Sequence, residues 1–108
     1  MTANSTGKIR FRMHQQGQER VLAAADESAL GKKHVGNNRV LDLIKFASFY
    51  GEETVDAQEL ETHLADCTSA NLVGEMAVGT ALKMKFANKE QVVRIGEVPH
   101  LQLYRGER

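Results

Sequence analysis

Between Ala70 and Leu82 the chain reads Ala-Asn-Leu-Val-Gly-Glu-Met-Ala-Val-Gly-Thr-Ala-Leu. At spacings of three and four residues, Ala70, Gly74, Ala77 and Ala81 fall into one stripe of very small side chains. A glycine inside a helix costs about 0.5–1 kcal/mol relative to alanine, and Gly74 and Gly79 both lie in this segment. Close approach by a sheet or a second helix would offset that cost. The pattern therefore predicts a thin, central helix over about 70–86, and a leucine at Gly74 is expected to unfold the chain.

The flanking sequence supplies something for that helix to pack on. Ile9, Phe11 and Met13 alternate with Lys8, Arg10, Arg12 and His14, a half-buried strand with a basic outer face. A turn at Gln15 to Gln18 returns the chain through Glu19 to Ala25, completing a hairpin. Ala23, Ala24 and Ala25 are weak strand formers, so this strand is expected to lie under something bulky. Asp26 to Gly31 reads as one short helical turn, capped by Asp26 and ended by Gly31. Gly36-Asn37-Asn38 predicts a hairpin turn between segments 32–35 and 39–44. Lys45 to Gly51, with Phe46, Phe49 and Tyr50, is expected to be extended. Asp56 and Glu59 have the spacing of a capping box, and Ala57, Leu60, Leu64 and Cys67 recur at helical spacing, so a helix over 56–66 follows. Segments 92–95 and 98–104 read as a last pair of strands, with Pro99 at a strand start or an edge. Strands before and after one helical block predict an α+β domain over residues 8–104: a mainly antiparallel sheet of hairpins with two consecutive helices packed on it. Residues 1–7 and 105–108 are expected to be tails.

The charges are segregated although the formal net charge is zero. Residues 1–50 hold eight Lys/Arg against four Asp/Glu, residues 51–82 hold seven acids and no Lys or Arg, and residues 83–108 hold six cations against three acids. This predicts a polarised surface able to orient a charged partner, or simply an acidic helix face in water. No apolar run is long enough to span a bilayer, and no hydrophobic leader begins the chain. Those features and the single cysteine, Cys67, point to a cytoplasmic protein that does not engage membranes.

The chain has no phosphate loop, dinucleotide-binding glycine pattern, Cys-x-x-Cys or His-Glu-x-x-His. His63 and Cys67 share a helix face, but Cys67 also completes that helix's apolar stripe, so a buried thiol is expected there and no metal or cofactor. Two functional readings remain. In the first, Lys8, Arg10 and Arg12, joined by Lys32, Lys33 and Arg39, follow a phosphate backbone, although no aromatic ladder for base stacking is evident. The expected partner is then RNA or a translation-associated protein. In the second, Asn71, Glu75 and His100 form a small-molecule or acid/base site with Tyr50 at its rim: Glu75 the base, His100 the proton donor, Asn71 the orienter. The plain structural alternative is that Asn71 caps the central helix and Glu75 pairs with a Lys or Arg from a strand.

Four segments in order, Asp26-Glu27-x-x-Leu30-Gly31-Lys32, Phe49-Tyr50-Gly51, Ala70-Asn71-Leu72-Val73-Gly74-Glu75 and Arg94-Ile95-Gly96-x-Val98-Pro99-His100, resemble a family of short uncharacterised archaeal proteins, the domain of unknown function 424. The likeness covers about Val21 to Leu103. It implies an archaeal origin and no particular activity. Many relatives carry a cysteine where this chain has Ala25. The polar residues of the shared motifs add Asp26 to the candidate pocket of Tyr50, Asn71, Glu75 and His100.

Overall fold

The computed structural model describes residues 8–106, so the tail expected over residues 1–7 lies outside the described residues. In chain order the elements are β1 (Ile9–Gln16), β2 (Glu19–Asp26), β3 (Lys33–Gly36), β4 (Arg39–Asp42), β5 (Glu53–Val55), α1 (Ala57–Asp66), β6 (Ser69–Val73), α2 (Glu75–Lys83), β7 (Val93–Ile95) and β8 (Val98–Tyr104). Six strands form one sheet in the order β5-β1-β2-β6-β8-β7, and β3 and β4 form a separate hairpin. Every neighbouring pair is antiparallel except β2 and β6. The fold is α+β, with both helices on one face of a mainly antiparallel sheet.

Residues 69–73, expected in the second helix or at its start, are strand β6 at the centre of the sheet. The physical reason is burial on both faces. Ala70 and Leu72 pack into the helix layer while Val73 packs into the opposite layer. A strand covered on both sides loses the alternation that would mark it. The helix proper starts at Glu75 and ends at Lys83, and Ala77, Val78 and Ala81 remain its buried face. Parallel pairing of β2 with β6 is achieved through α1, which carries the chain from β5 over the sheet.

Two devices start the helices. Asp56 and Glu59 form the expected capping box of α1, with the Asp56 carboxylate accepting from the Glu59 amide at 2.8 Å and Glu59 from the Asp56 amide at 3.0 Å. Helix α2 is capped from a distance. Asp26, expected to cap the short turn after it, makes no such bond in the 3-10 turn Glu27–Ala29. Its carboxylate instead accepts from the amides of Met76 (2.8 Å) and Ala77 (2.9 Å). Asp26 is at the end of β2 and points to the helix side, where those two amides lack intrahelical partners. Gly74 makes the approach fit: its φ is +105°, and a Cβ there would lie 2.3 Å from Cγ of Asp26. The glycine is thus required at the helix start, next to a carboxylate, rather than as part of an interhelical stripe.

The other face is covered by chain between β2 and β5. Leu43, Tyr50 and Ala29 are buried against Ala23, Ala25 and Val73, so the alanines do lie under bulky groups. Lys45 to Gly51 is not extended; it contains a 3-10 turn at Ala47–Tyr50, which sets Phe49 and Tyr50 edge to face at 5.1 Å. The β3–β4 hairpin turns at Asn37 and Asn38, both with positive φ. It docks on the β7–β8 turn, where a Cβ on Gly36 would meet the Gly96 nitrogen at 2.4 Å. Arg105 does not trail away. Its amide donates to Thr68 O at 2.7 Å and its guanidinium lies over the Phe86 ring.

Candidate functional site

Strand alternation decides which candidates can meet. Leu72 and Leu101 enter the helix layer, so Asn71 and His100, their neighbours in sequence, project from the other face. There the Tyr50 hydroxyl donates to Oδ1 of Asn71 at 3.1 Å, and Nε2 of His100 lies 3.1 Å from the same oxygen. With the amide oxygen facing both groups, His100 carries a proton on Nε2 and donates it. Burial, and then the nearby charge of Arg39, hold the His100 pKa below its ordinary 6.5, so the ring is neutral near pH 7. Burial pushes the Tyr50 hydroxyl up to about 12. Three of the expected pocket residues therefore form one hydrogen-bonded line.

Glu75 is not in it. It belongs to α2, on the opposite face of the sheet, and its carboxylate pairs with Arg94 of β7 at 2.9 Å. The acid/base trio of Asn71, Glu75 and His100 is therefore not assembled, and Glu75 is instead the partner of a strand cation. Asn71 does not cap a helix. Asp26 also faces the helix layer, where burial raises its carboxyl above the ordinary 3.8. Cys67 is buried, donates to Leu64 O at 3.2 Å, and burial raises its thiol. Among the described residues, no three His, Cys, Asp or Glu side chains converge as a metal site.

The basic candidates divide. Arg10 is engaged with Glu27 at 3.3 Å and with Gly51 O at 3.1 Å, tying the covering loop to β1. His14 does similar work, with Nε2 at 2.8 Å from Phe49 O and its ring stacked on Phe49. Arg12 lies between them, exposed. It projects from the same face as Asn71, and a shallow groove of about 480 Å³ runs beside it past His14, Gln16, Val21 and Phe49. Arg39 is exposed on β4 near His100. Lys8 is exposed just before β1, and Lys32 and Lys33 are exposed at the start of the β3–β4 hairpin.

The registers show what surrounds this face. One row runs Arg12, Ala23, Asn71, Gln102, and the next runs His14, Val21, Ser69, Tyr104. Covering residues fill the Ala23 end, but Gln102 and Tyr104 are exposed, Tyr104 by 70%. Among the described residues, strand β7 pairs with Val98 to His100, and no strand lies beside the Leu101 to Tyr104 part of β8 on that side. Neither Gln102 nor Tyr104 was among the sequence candidates. The alternation of Val98, His100, Gln102 and Tyr104 against Pro99, Leu101 and Leu103 is the signal that places them beside His100.

A family model described as a protein of unknown function (DUF424) matches residues 13–105. The chain belongs to the DUF424 family. A search of curated proteins gives no match. Among solved structures, the DUF424 chain is similar to an uncharacterized conserved protein from Methanopyrus kandleri, with 24% identity, 94% of each chain covered and a TM-score of 0.74. That likeness shows a shared fold. Within the DUF424 match lie Tyr50, Asn71 and His100, as well as the exposed Gln102 and Tyr104.

Proposed function

We propose that this DUF424 protein is a non-enzymatic binding module whose open sheet face takes single-stranded RNA. The observation that carries this reading is the exposure of Arg12, Gln102 and Tyr104 on one face of the sheet, opposite the acidic helix α1. On the helix side Glu61, Asp66 and Glu75 are paired with Lys83, Arg20 and Arg94, whereas Arg12 and Arg39 are exposed and available to phosphates. Tyr104 offers a ring for a base and Gln102 offers an amide, which donates and accepts. The Tyr50–Asn71–His100 line fixes the strands and covering loop beside that surface and leaves Nδ1 of neutral His100 as an acceptor.

Binding of oligouridylate and of a structured RNA hairpin across a salt series tests the reading. Affinity is expected to favour the single strand and to fall with salt by a slope of about −0.7 per neutralised phosphate. Arg12→Ala and Arg39→Ala together should flatten that slope. Arg10 is a poor probe because it holds the covering loop. Absence of binding at about 50 mM salt, where phosphate contacts are strong, would end this account.

A further inference from the structure

Four of the five large apolar side chains exposed among the described residues lie close together in sequence: Val35 (62%), Val40 (63%), Ile44 (62%) and Phe46 (54%). Single exposed apolar residues are ordinary, but a cluster marks an interaction surface. Val35 and Val40 are direct partners in the β3–β4 register, so their side chains touch on one face of the hairpin. The alternate positions point inward: His34 Nε2 is 2.9 Å from Ala29 O, and Leu41 packs on the core. With Asn37 also donating to Arg94 O at 3.0 Å, the hairpin is anchored without its outer valines. Strand propensity would account for two valines. It does not account for Ile44 and Phe46, which lie in the turn after β4.

That turn is held in place. The Asp42 carboxylate accepts from the amides of Ile44 (3.1 Å) and Lys45 (2.9 Å). These amide bonds, chiefly that of Lys45, and the charges of Lys33 and Lys45 keep its carboxyl below the ordinary range. Around this one carboxylate, which lies across from Lys33 in the register, the lysines are in excess. Lys33 shares the outer face with Val35, Lys45 Nζ stands 5.5 Å from the Phe46 ring centroid, and Lys32 is exposed beside them. Aliphatic Val and Ile offer no stacking face to a base, and the Phe46 ring already carries a cation, so this surface differs in kind from the one around Tyr104. Its chemistry is complementary to carboxylates interspersed with apolar side chains.

We infer that the outer face of the β3–β4 hairpin and its following turn docks an acidic, amphipathic segment of a partner protein. The partner's apolar side chains seat on Val35, Val40, Ile44 and Phe46, and its carboxylates meet Lys32, Lys33 and Lys45. The test uses a labelled synthetic peptide alternating Glu with Leu and Phe, against the same peptide with Lys for Glu. Fluorescence anisotropy should show binding of the acidic peptide only, with amide shifts confined to residues 32–46. Val35→Ser with Val40→Ser, and separately Lys33→Glu with Lys45→Glu, should each weaken it by about tenfold or more, near 1.4 kcal/mol. The charge pair keeps the test valid if the serine pair unfolds. No binding, equal binding of the lysine peptide, or indifference to both double variants would overturn the inference. So would a self-association or an anionic-vesicle binding that the serine pair abolishes, since another occupant would then hold the patch.

Discussion

Removing the Asp26 carboxylate should show how the sheet and α2 are joined. Asp26 is 6% exposed and accepts from two helix-start amides, Met76 and Ala77. Ala77 is fully buried, so in Asp26→Ala its N–H has no access to water, a loss of about 1–3 kcal/mol. The second bond, to Met76, is lost as well, a capping contribution at the low end of about 0.5–2 kcal/mol. Part of this is returned, because the burial that raises the Asp26 pKa also opposes its charge. A net loss of about 2–3 kcal/mol follows, or about 10–20 °C in melting temperature at this chain length. Asp26→Asn retains one acceptor oxygen and should lose about 1 kcal/mol. Urea unfolding followed by circular dichroism gives the free energies, and hydrogen exchange at Ala77 reports the bond directly. An alanine variant within about 0.5 kcal/mol of the parent, the range of an ordinary surface change, would refute the reasoning.

Gly74→Ala should cost at least about 2 kcal/mol in the same unfolding assay, combining positive-φ strain with overlap on Asp26; a parent-like midpoint would mean that Gly74 is not held where the structure puts it. Because the folded His100 pKa lies below 6.5, the unfolded chain takes up a proton first as pH falls. Stability should therefore decline as pH falls through the ordinary 6.5 toward the lowered folded value, by at most about 1.4 kcal/mol per pH unit from this group. His100→Gln, whose amide can still donate to Asn71, should flatten that slope, and an unchanged slope would assign it elsewhere. Tyr104→Ala should leave stability within about 0.5 kcal/mol and weaken oligouridylate binding by about 1–3 kcal/mol; unchanged affinity would remove Tyr104 from the interface.

The sequence showed plainly what local chemistry controls. The β1–β2 hairpin follows from alternation, α1 from its capping box, and the β3–β4 turn from two asparagines tolerant of positive φ. What it concealed depended on tertiary contact. Asn71 looked helical because β6 is buried on both faces, and Gly74 looked like part of a packing stripe because its neighbour, Asp26, is 48 positions away in the chain. For the same reason the site was half legible. Tyr50, Asn71 and His100 could be singled out as polar residues at shared motifs. That Glu75 faces away from them follows only once β6 ends at Val73 and the chain turns at Gly74 onto the other side of the sheet.

The central claim is that RNA meets the open half of the sheet, and its most direct test is the amide and side-chain shift map of the isotopically labelled protein titrated with oligouridylate. The account predicts that the largest shifts fall on Arg12, His14, Val21, Ser69, Gln102 and Tyr104, with the Asn71 side chain following and helix α1 silent. Shifts centred on α1 or on Val35, Val40, Ile44 and Phe46, or none at saturating RNA, would contradict it.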